Sequence, residues 1–472
     1  MSDSNNRIEP WRYLVPLAVL LGIWFLPCPE GLSPKAWHLF SIFAALIVSV
    51  LTSPLPTSAM SFIALALAIF SNSLTLGQAL TGFSSGSMWL IFCAFILSIG
   101  FISSRLGQRI AYRMLAWFGR SSLGVAYALS MADLIMSPAM PSVTARSGGI
   151  ILPIVKSINL VMGSTPGKSG RKIGDFLIMT CFQITPITGA FFLTGMAANP
   201  LCAELARKSF GIEIEWVSWF IAAVVPCLIC FVAIPLLCYR LINPTLKKTP
   251  EAVKMGREEL QKMGAMSRRE KAVLLGFLGA MVAWGTCLWT GLNANAIGIG
   301  LVAYLFASRA ITWDEVLKEK GAWDTLIWFG AIISLASGLS TLGFIKWMSD
   351  LFASNVAGFS WQIAFVLLGV AYIYVHYVFA TAVGHTGALY VPFAAVAIGA
   401  GAPPMMVAIC FGLFSNVMWS LTEYAGGPGP LYFGQGYYDR PRFYKMNFVC
   451  VTFNVIVVLA VGMLWWKLIG LY

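Results

Sequence analysis

The sequence predicts an all-α, polytopic membrane protein of about eleven transmembrane helices and two re-entrant helical hairpins, arranged as an inverted repeat. Three observations lead to this fold class. Of the 472 residues, 58% are hydrophobic and only 11% are charged. Apolar stretches of membrane-spanning length recur along the chain, and several of them break in mid-course. The mean hydropathy of +0.80 excludes an ordinary soluble protein.

The first half, residues 1–239, is expected to supply scaffold helices, one hairpin and one broken helix. Single spans are predicted at 13–27, 36–52, 57–71, 86–104 and 216–239. The remaining elements are an amphipathic interfacial segment at 108–118, a hairpin at 122–156 that enters from the inside, and a broken helix at 174–208.

A charged segment, 240–271, is predicted to be a cytoplasmic linker between the halves. The second half, residues 272–472, repeats the same kinds of element. Its single spans are predicted at 272–290, 294–308 and 325–343. They are followed by a hairpin at 361–400, a broken helix at 404–437 and a last helix at 446–470.

The positions of the basic residues predict the orientation. With the N-terminus in the cytoplasm and the C-terminus outside, most of the 31 Lys and Arg residues fall in inner loops, nine of them within 240–271. The net charge of +12 is therefore interpreted as a topology signal and not as a nucleic-acid-binding surface. The short N-terminus favours a bacterial inner membrane over a plastid envelope.

The tip of the first hairpin combines helix breakers with anion-binding groups. Pro138 and Pro141 cannot continue a helix, so the chain must turn there. The second arm then starts beside Ser142 and Thr144, where free backbone N–H groups favour an anion. Arg146 adds a positive charge that is costly within a membrane and therefore points to function, or to an ion pair with Asp133.

Corresponding breaks recur in the second half. The tip Ser142–Thr144 is matched with Gly384–Thr386, and the break Thr194–Pro200 with Thr422–Pro428. Paired breaks in two inverted halves indicate a midplane binding site of a secondary transporter.

These residues resemble the divalent anion:sodium symporter (DASS) family. Its exchanger branch, which includes plastid 2-oxoglutarate/malate translocators and bacterial citrate or tartrate/succinate antiporters, is the most similar. The resemblance runs from Pro16 to the end and is carried by these motifs: Phe83-Ser-Ser, Ser137-Pro138, Pro141-Ser142-x-Thr144-Ala145-Arg146-x-Gly148-Gly149, Thr194-Gly195, His376-Tyr377-x-Phe379-Ala380 and Gly427-Pro428. It implies an elevator-type carrier, usually a homodimer in the bilayer, that binds small dicarboxylates without a cofactor.

The resemblance also implies the binding residues. The substrate set is Ser142, Thr144, Arg146, Thr194, Asn199, His385, Thr386, Thr422, Gly427 and Pro428. A weaker ion-coupling set is Ser142, Val143 and Glu423. The family has Ser-Asn-Thr at its tips, but Val143 replaces the first asparagine, which removes an oxygen ligand that a sodium ion would use. Exchange without sodium is therefore favoured.

Other interpretations of these side chains stay open at this point. Ser142, Thr144 and Thr386 could only cap broken helices, and His385 could pack against a neighbour. Glu423 could carry a proton or counter-ion, or form a buried pair with a cation. The sequence Gly82-Phe-Ser-Ser-Gly86 fits a hydrolase motif, but it opens a membrane helix and lacks His and Asp partners.

The predicted function is exchange of C4/C5 dicarboxylates of the 2-oxoglutarate, malate and succinate class. Sodium- or proton-coupled uptake of dicarboxylate or citrate is the alternative, and no enzymatic activity is expected. The preferred dianion and its exchange partner are not determined by the sequence.

Overall fold

The computed structural model describes residues 9–355 and 360–472, and every regular element within them is helical. Residues 1–8, the predicted cytoplasmic N-terminus, lie outside the described residues. In the first half the helices are α1 Pro10–Phe25, α2 Pro34–Thr52, α3 Thr57–Phe70, α4 Leu76–Ala79, α5 Gly86–Ser103, α6 Leu106–Phe118, α7 Ser122–Met136, α8 Leu152–Val161, α9 Gly174–Ala190, α10 Ala198–Phe210 and α11 Trp216–Ile242.

The second half contains a similar series. Its helices, together with one that precedes it, are α12 Pro250–Met263, α13 Arg268–Gly285, α14 Cys287–Thr290, α15 Ala294–Ala307, α16 Trp313–Lys318, α17 Lys320–Thr341, α18 Phe344–Asn355, α19 Trp361–Tyr374, α20 Ala382–Gly399, α21 Pro404–Val417, α22 Pro428–Phe433, α23 Arg440–Val457 and α24 Met463–Leu468.

The two halves repeat one order of elements. In the first half, α5 and α6 are followed by the hairpin α7–α8, the broken helix α9–α10 and the long helix α11. In the second half, α17 and α18 are followed by the hairpin α19–α20, the broken helix α21–α22 and α23. The broken helices pack against each other, since α10 contacts both α21 and α20.

The breaks coincide with the residues that disfavour α-helix. The first hairpin turns through a 3₁₀ segment at Ser137–Ala139, which contains Pro138, and its second arm begins as a π-helix, Thr144–Ile151. A 3₁₀ turn at Leu193–Gly195 separates α9 from α10. Another, Met418–Leu421, ends α21 before the gap that leads to α22.

Within the described residues, nine helical segments are long and apolar enough to cross a membrane. α1, α3 and α15 are apolar but shorter. The count of eleven crossings, the orientation and the inverted relation of the halves therefore stay predictions.

The predicted linker 240–271 contains an ordered helix. α12 packs against α6 through Ala252, Val253, Met255 and Gly256, which are buried. At the end of this segment, Arg109 Nε of α6 lies 2.6 Å from Glu270 Oε1. The linker and the amphipathic helix α6 thus form one packed unit.

Candidate functional site

A cavity of about 240 Å³ lies where the hairpins and the broken helices meet. Six segments from the two halves contribute to its lining: the first hairpin tip, the first break, the start of α20, the second break, and the helices α5 and α17. The lining residues are Phe95, Pro141, Ser142, Val143, Thr144, Met196, Ala197, Thr325, Trp328, Thr381, Ala382, Val383, Trp419, Gly426 and Gly427. None of these described lining residues carries a charge.

Four helical segments begin at this cavity. Val143, Ala197, Thr381 and Gly427 are the residues that precede, respectively, the π-helical arm, α10, α20 and the short α22. The first N–H groups of a helix lack intrahelical acceptors, and the N-terminal end of the helix dipole is positive. The cavity therefore attracts an anion although its lining contains no cationic side chain.

The two hairpin tips are built alike. Ser142 Oγ accepts a hydrogen bond from the Ala145 N–H at 3.2 Å, and Thr381 Oγ1 accepts one from the Gly384 N–H at 3.0 Å. In both cases a hydroxyl caps the N–H three residues further on. The residues after the caps, Val143 and Ala382, present hydrocarbon side chains.

The second tip lies three residues before the predicted one. Thr381–Val383 line the cavity, whereas Gly384–Thr386 belong to the first turns of α20 and are buried. The Thr386 hydroxyl donates to the Ala382 carbonyl at 2.8 Å within its own helix. The displacement arises because the capping hydroxyl, and not the more polar triplet after it, starts the helix.

His385 lies behind this tip and pairs with another histidine. Its Nδ1 is 3.0 Å from Nδ1 of His376, and both rings are fully buried. The Tyr372 ring packs edge-on against His385, with centroids 4.5 Å apart. His385 therefore packs against neighbours and is not part of the cavity lining.

Arg146 is fully buried and is not among the residues that line the cavity. Its Nε donates to Asp133 Oδ1 at 3.0 Å, and Nη1 donates to the carbonyls of Met140 and Gly195 at 2.8 and 2.9 Å. Nη2 donates to Thr188 Oγ1 at 3.3 Å. The guanidinium thus joins the hairpin to the first broken helix, and the ion pair with Asp133 is the arrangement observed.

Thr194 and Asn199 stabilise the first break from within. Trp216 Nε1 donates to the Thr194 hydroxyl at 3.2 Å. Asn199 Nδ2 donates to the carbonyls of Gly189 and Phe192 on either side of the end of α9, each at 2.9 Å. Asn199 Oδ1 in turn accepts from Asn416 Nδ2 at 2.6 Å. This amide pair connects the two broken helices.

At the second break, one of the predicted residues lines the cavity and the others stabilise the chain around it. Gly427 lines the cavity, and the buried Pro428 is the first residue of α22, a position where proline is favoured. Thr422 Oγ1 accepts from the Ala425 N–H at 3.1 Å. Glu423 Oε1 lies 2.8 Å from Arg440 Nε, so this carboxylate is paired with a cation.

Several residues of the site are absent from the set that the sequence predicts. Thr381 had a detectable signal, a hydroxyl three residues before Gly384 at the start of an apolar run. Asn416 was detectable as an amide within the apolar α21. Phe95, Thr325 and Trp328 come from α5 and α17 and gave no signal, because their helices are apolar on several faces.

Comparisons with known proteins find similar sequences along the whole chain. The model of the sodium:sulfate symporter transmembrane region family matches residues 7–472. The Bacillus subtilis (strain 168) protein YflS, named as a candidate malate transporter, is 44% identical over 100% of this chain and 99% of its own length. Dicarboxylate transporter 1, chloroplastic, of Spinacia oleracea is 40% identical over 99% of this chain and 84% of its own length.

A solved structure supports the fold. Neisseria gonorrhoeae MtrF, from a class of antimetabolite efflux pumps, superposes with a TM-score of 0.60 at 10% identity over 94% of this chain and 97% of that protein. This likeness confirms the predicted all-α, multi-pass membrane fold.

Proposed function

The chain belongs to the sodium:sulfate symporter transmembrane family, and on that premise we propose that it exchanges C4 and C5 dicarboxylates across its membrane. The names of the relatives, a candidate malate transporter and a dicarboxylate transporter, support the substrate class. The observation that carries the proposal is the cavity at which four helical segments begin and whose described lining is uncharged.

The cavity chemistry suits a small dianion. Backbone N–H groups and capping hydroxyls donate hydrogen bonds to carboxylate oxygens, and the helix dipoles stabilise negative charge at the helix starts. The two tips are built alike, so their helix starts offer equivalent N–H groups to a carboxylate. The cavity volume of about 240 Å³ restricts the substrate to small molecules.

The composition of the tips supports exchange over sodium-driven uptake. Val143 and Ala382 occupy equivalent positions, one residue after the capping hydroxyl, and neither side chain offers an oxygen ligand. Hard cations in proteins are bound by oxygen atoms. In the proposed exchange, the gradient of one dianion, and not of sodium, drives the movement of the other.

The transport movement we propose is an elevator. The moving body would consist of the two hairpins, the broken helices and α11, α23 and α24, and the frame would contain α5 and α17. The cavity lies between these two groups of helices, which supports relative movement at that boundary. We further propose a homodimer in a bacterial inner membrane. The relative YflS, which is matched over 99% of its length, comes from a bacterium, and this supports the choice of membrane.

Counterflow in proteoliposomes tests the exchange. Vesicles preloaded with malate or 2-oxoglutarate should take up labelled dicarboxylate faster than empty vesicles, with or without sodium. If preloading does not accelerate uptake, exchange is refuted. If a sodium or proton gradient drives uptake into empty vesicles, coupled symport takes its place.

A further inference from the structure

The cavity has a second wall, which the unbroken helices α5 and α17 supply. Phe95 of α5 and Thr325 and Trp328 of α17 form it, with exposed fractions of 7%, 5% and 6%. Thr325 and Trp328 are three residues apart in a helix and therefore lie on the same face. This wall is made of uncharged side chains from helices that contain no break.

Two hydrogen-bond donors on this wall have no partner. The Trp328 indole nitrogen and the Thr325 hydroxyl are without a hydrogen bond among the described residues, yet, unlike the indole nitrogen of Trp37, neither is sealed from solvent. On the same helix, Trp323 Nε1 donates to the Val316 carbonyl at 2.9 Å. Since buried indole N–H groups usually find an acceptor, two such donors on residues that line one cavity indicate a ligand.

We propose that Thr325 and Trp328 bind the carboxylate that lies farther from the hairpin tips and thereby limit the chain length of the substrate. The inference rests on the proposed dicarboxylate exchange and adds the residues that determine its specificity. One carboxylate accepts hydrogen bonds from the N–H groups at the helix starts, and the other accepts them from the Thr325 hydroxyl and the Trp328 indole N–H. On this proposal the Trp328 ring, which packs beside Phe329 with centroids 5.7 Å apart, limits how long a substrate the cavity accepts.

Conservative variants test the two donors. Trp328→Phe keeps a ring but removes the N–H, and Thr325→Val keeps the shape but removes the O–H. Each change should raise the KM for malate about tenfold or more, because a hydrogen bond to a charged group is lost. The matched controls are Trp323→Phe and Thr341→Val on the same helix. Both lie outside the cavity, and we expect them to leave the KM unchanged.

A shorter side chain tests the chain-length limit. Trp328→Leu lengthens the cavity, so uptake of the six-carbon adipate relative to malate should rise about tenfold. This ratio compares two substrates in one preparation, so a lower yield of folded protein does not alter it.

The outcomes separate this inference from the proposed function. If the wild-type protein exchanges malate and the Trp328→Phe, Thr325→Val and Trp328→Leu variants match it in KM and in selectivity, the wall has no role and the inference alone is overturned. If the wild-type protein exchanges no dicarboxylate, the proposed function fails and this inference fails with it.

Discussion

Thr144 and Gly427 lie so close together at the cavity that a side chain on Gly427 would force Thr144 to shift. A methyl group built on Gly427 would overlap the Thr144 hydroxyl and lie 3.1 Å from its Cβ. The φ of Gly427 is −53°, a value that any residue adopts, so the requirement for glycine is steric. One residue comes from the first hairpin tip and the other from the second break, so their contact fixes the distance between the two helix starts.

We expect Gly427→Ala to reduce exchange about tenfold or more, because the added methyl pushes the first tip away from the second break. The same overpacking should destabilise the protein by about 1–3 kcal/mol. Counterflow and thermal unfolding in detergent measure the two effects. Gly300→Ala is the control, because nothing lies near the methyl it adds. Normal exchange by Gly427→Ala would mean that the tip and the break are not held at this distance.

The Arg146 ion pair predicts a stability effect that exceeds any effect on affinity. Arg146→Ala leaves Asp133 buried without its cation and removes donors from the Met140 and Gly195 carbonyls, so unfolding should become easier by about 3–5 kcal/mol. Arg146→Lys keeps the charge, and the KM for malate should change little in the protein that still folds. A large rise in KM with an unchanged unfolding temperature would instead place the guanidinium on the substrate.

Much of the fold could be predicted because each break has a local cause. Pro138 and Pro141 stop α7, as their residue type requires, and Gly195 lies in the turn Leu193–Gly195 that interrupts the first broken helix. The direction in which Arg146 points could not be predicted. A π-helix, Thr144–Ile151, carries it, and this winding rotates side chains away from the positions that 3.6 residues per turn would give.

The site was harder to predict than the fold because it depends on distant segments. The first tip could be recognised from Ser142 and Thr144, but the second was displaced to Thr381, where one hydroxyl starts α20. The wall residues Thr325 and Trp328 reach the cavity only through packing of α17 against helices far away in the sequence. The single-sequence pattern contains no trace of that contact.

Sodium dependence should follow from the hydrocarbon positions in the tips. Wild-type exchange should be equal in sodium and in potassium buffers, because Val143 and Ala382 offer no side-chain oxygen. The double variant Val143→Asn with Ala382→Asn adds an amide oxygen to each tip, so its uptake should become faster in sodium than in potassium. Sodium-stimulated uptake by the wild-type protein would contradict this account of the tips.

The amide pair between the broken helices predicts a contrast between two buried asparagines. Asn416→Leu leaves Asn199 Oδ1 without its donor, so unfolding should become easier by about 1–3 kcal/mol. Asn454 is also buried, but neither its Nδ2 nor its Oδ1 has a hydrogen-bond partner among the described residues, so Asn454→Leu should be neutral or stabilising. Thermal unfolding of both variants measures the difference. Equal destabilisation by the two substitutions would show that the hydrogen bond between Asn416 and Asn199 does not add to stability.

Movement between the proposed frame and moving body can be tested by cross-linking at their boundary. Ser87 Oγ of α5 lies 3.1 Å from Glu204 Oε2 of α10, so this contact must separate if an elevator operates. Nine of the ten native cysteines are buried and so leave a low background. In the variant Ser87→Cys with Glu204→Cys, oxidation or a short thiol cross-linker should stop counterflow, and reduction should restore it.

The control for this experiment lies within the proposed moving body. Arg442 Nη1 of α23 lies 2.9 Å from Asp175 Oδ2 of α9, and the elevator carries both helices together. Cross-linking the variant Asp175→Cys with Arg442→Cys should therefore leave its counterflow at the rate measured before cross-linking. If the Ser87 and Glu204 positions are fully cross-linked and exchange continues, the substrate crosses without movement at this boundary, and a rocking or local gating movement must replace the elevator.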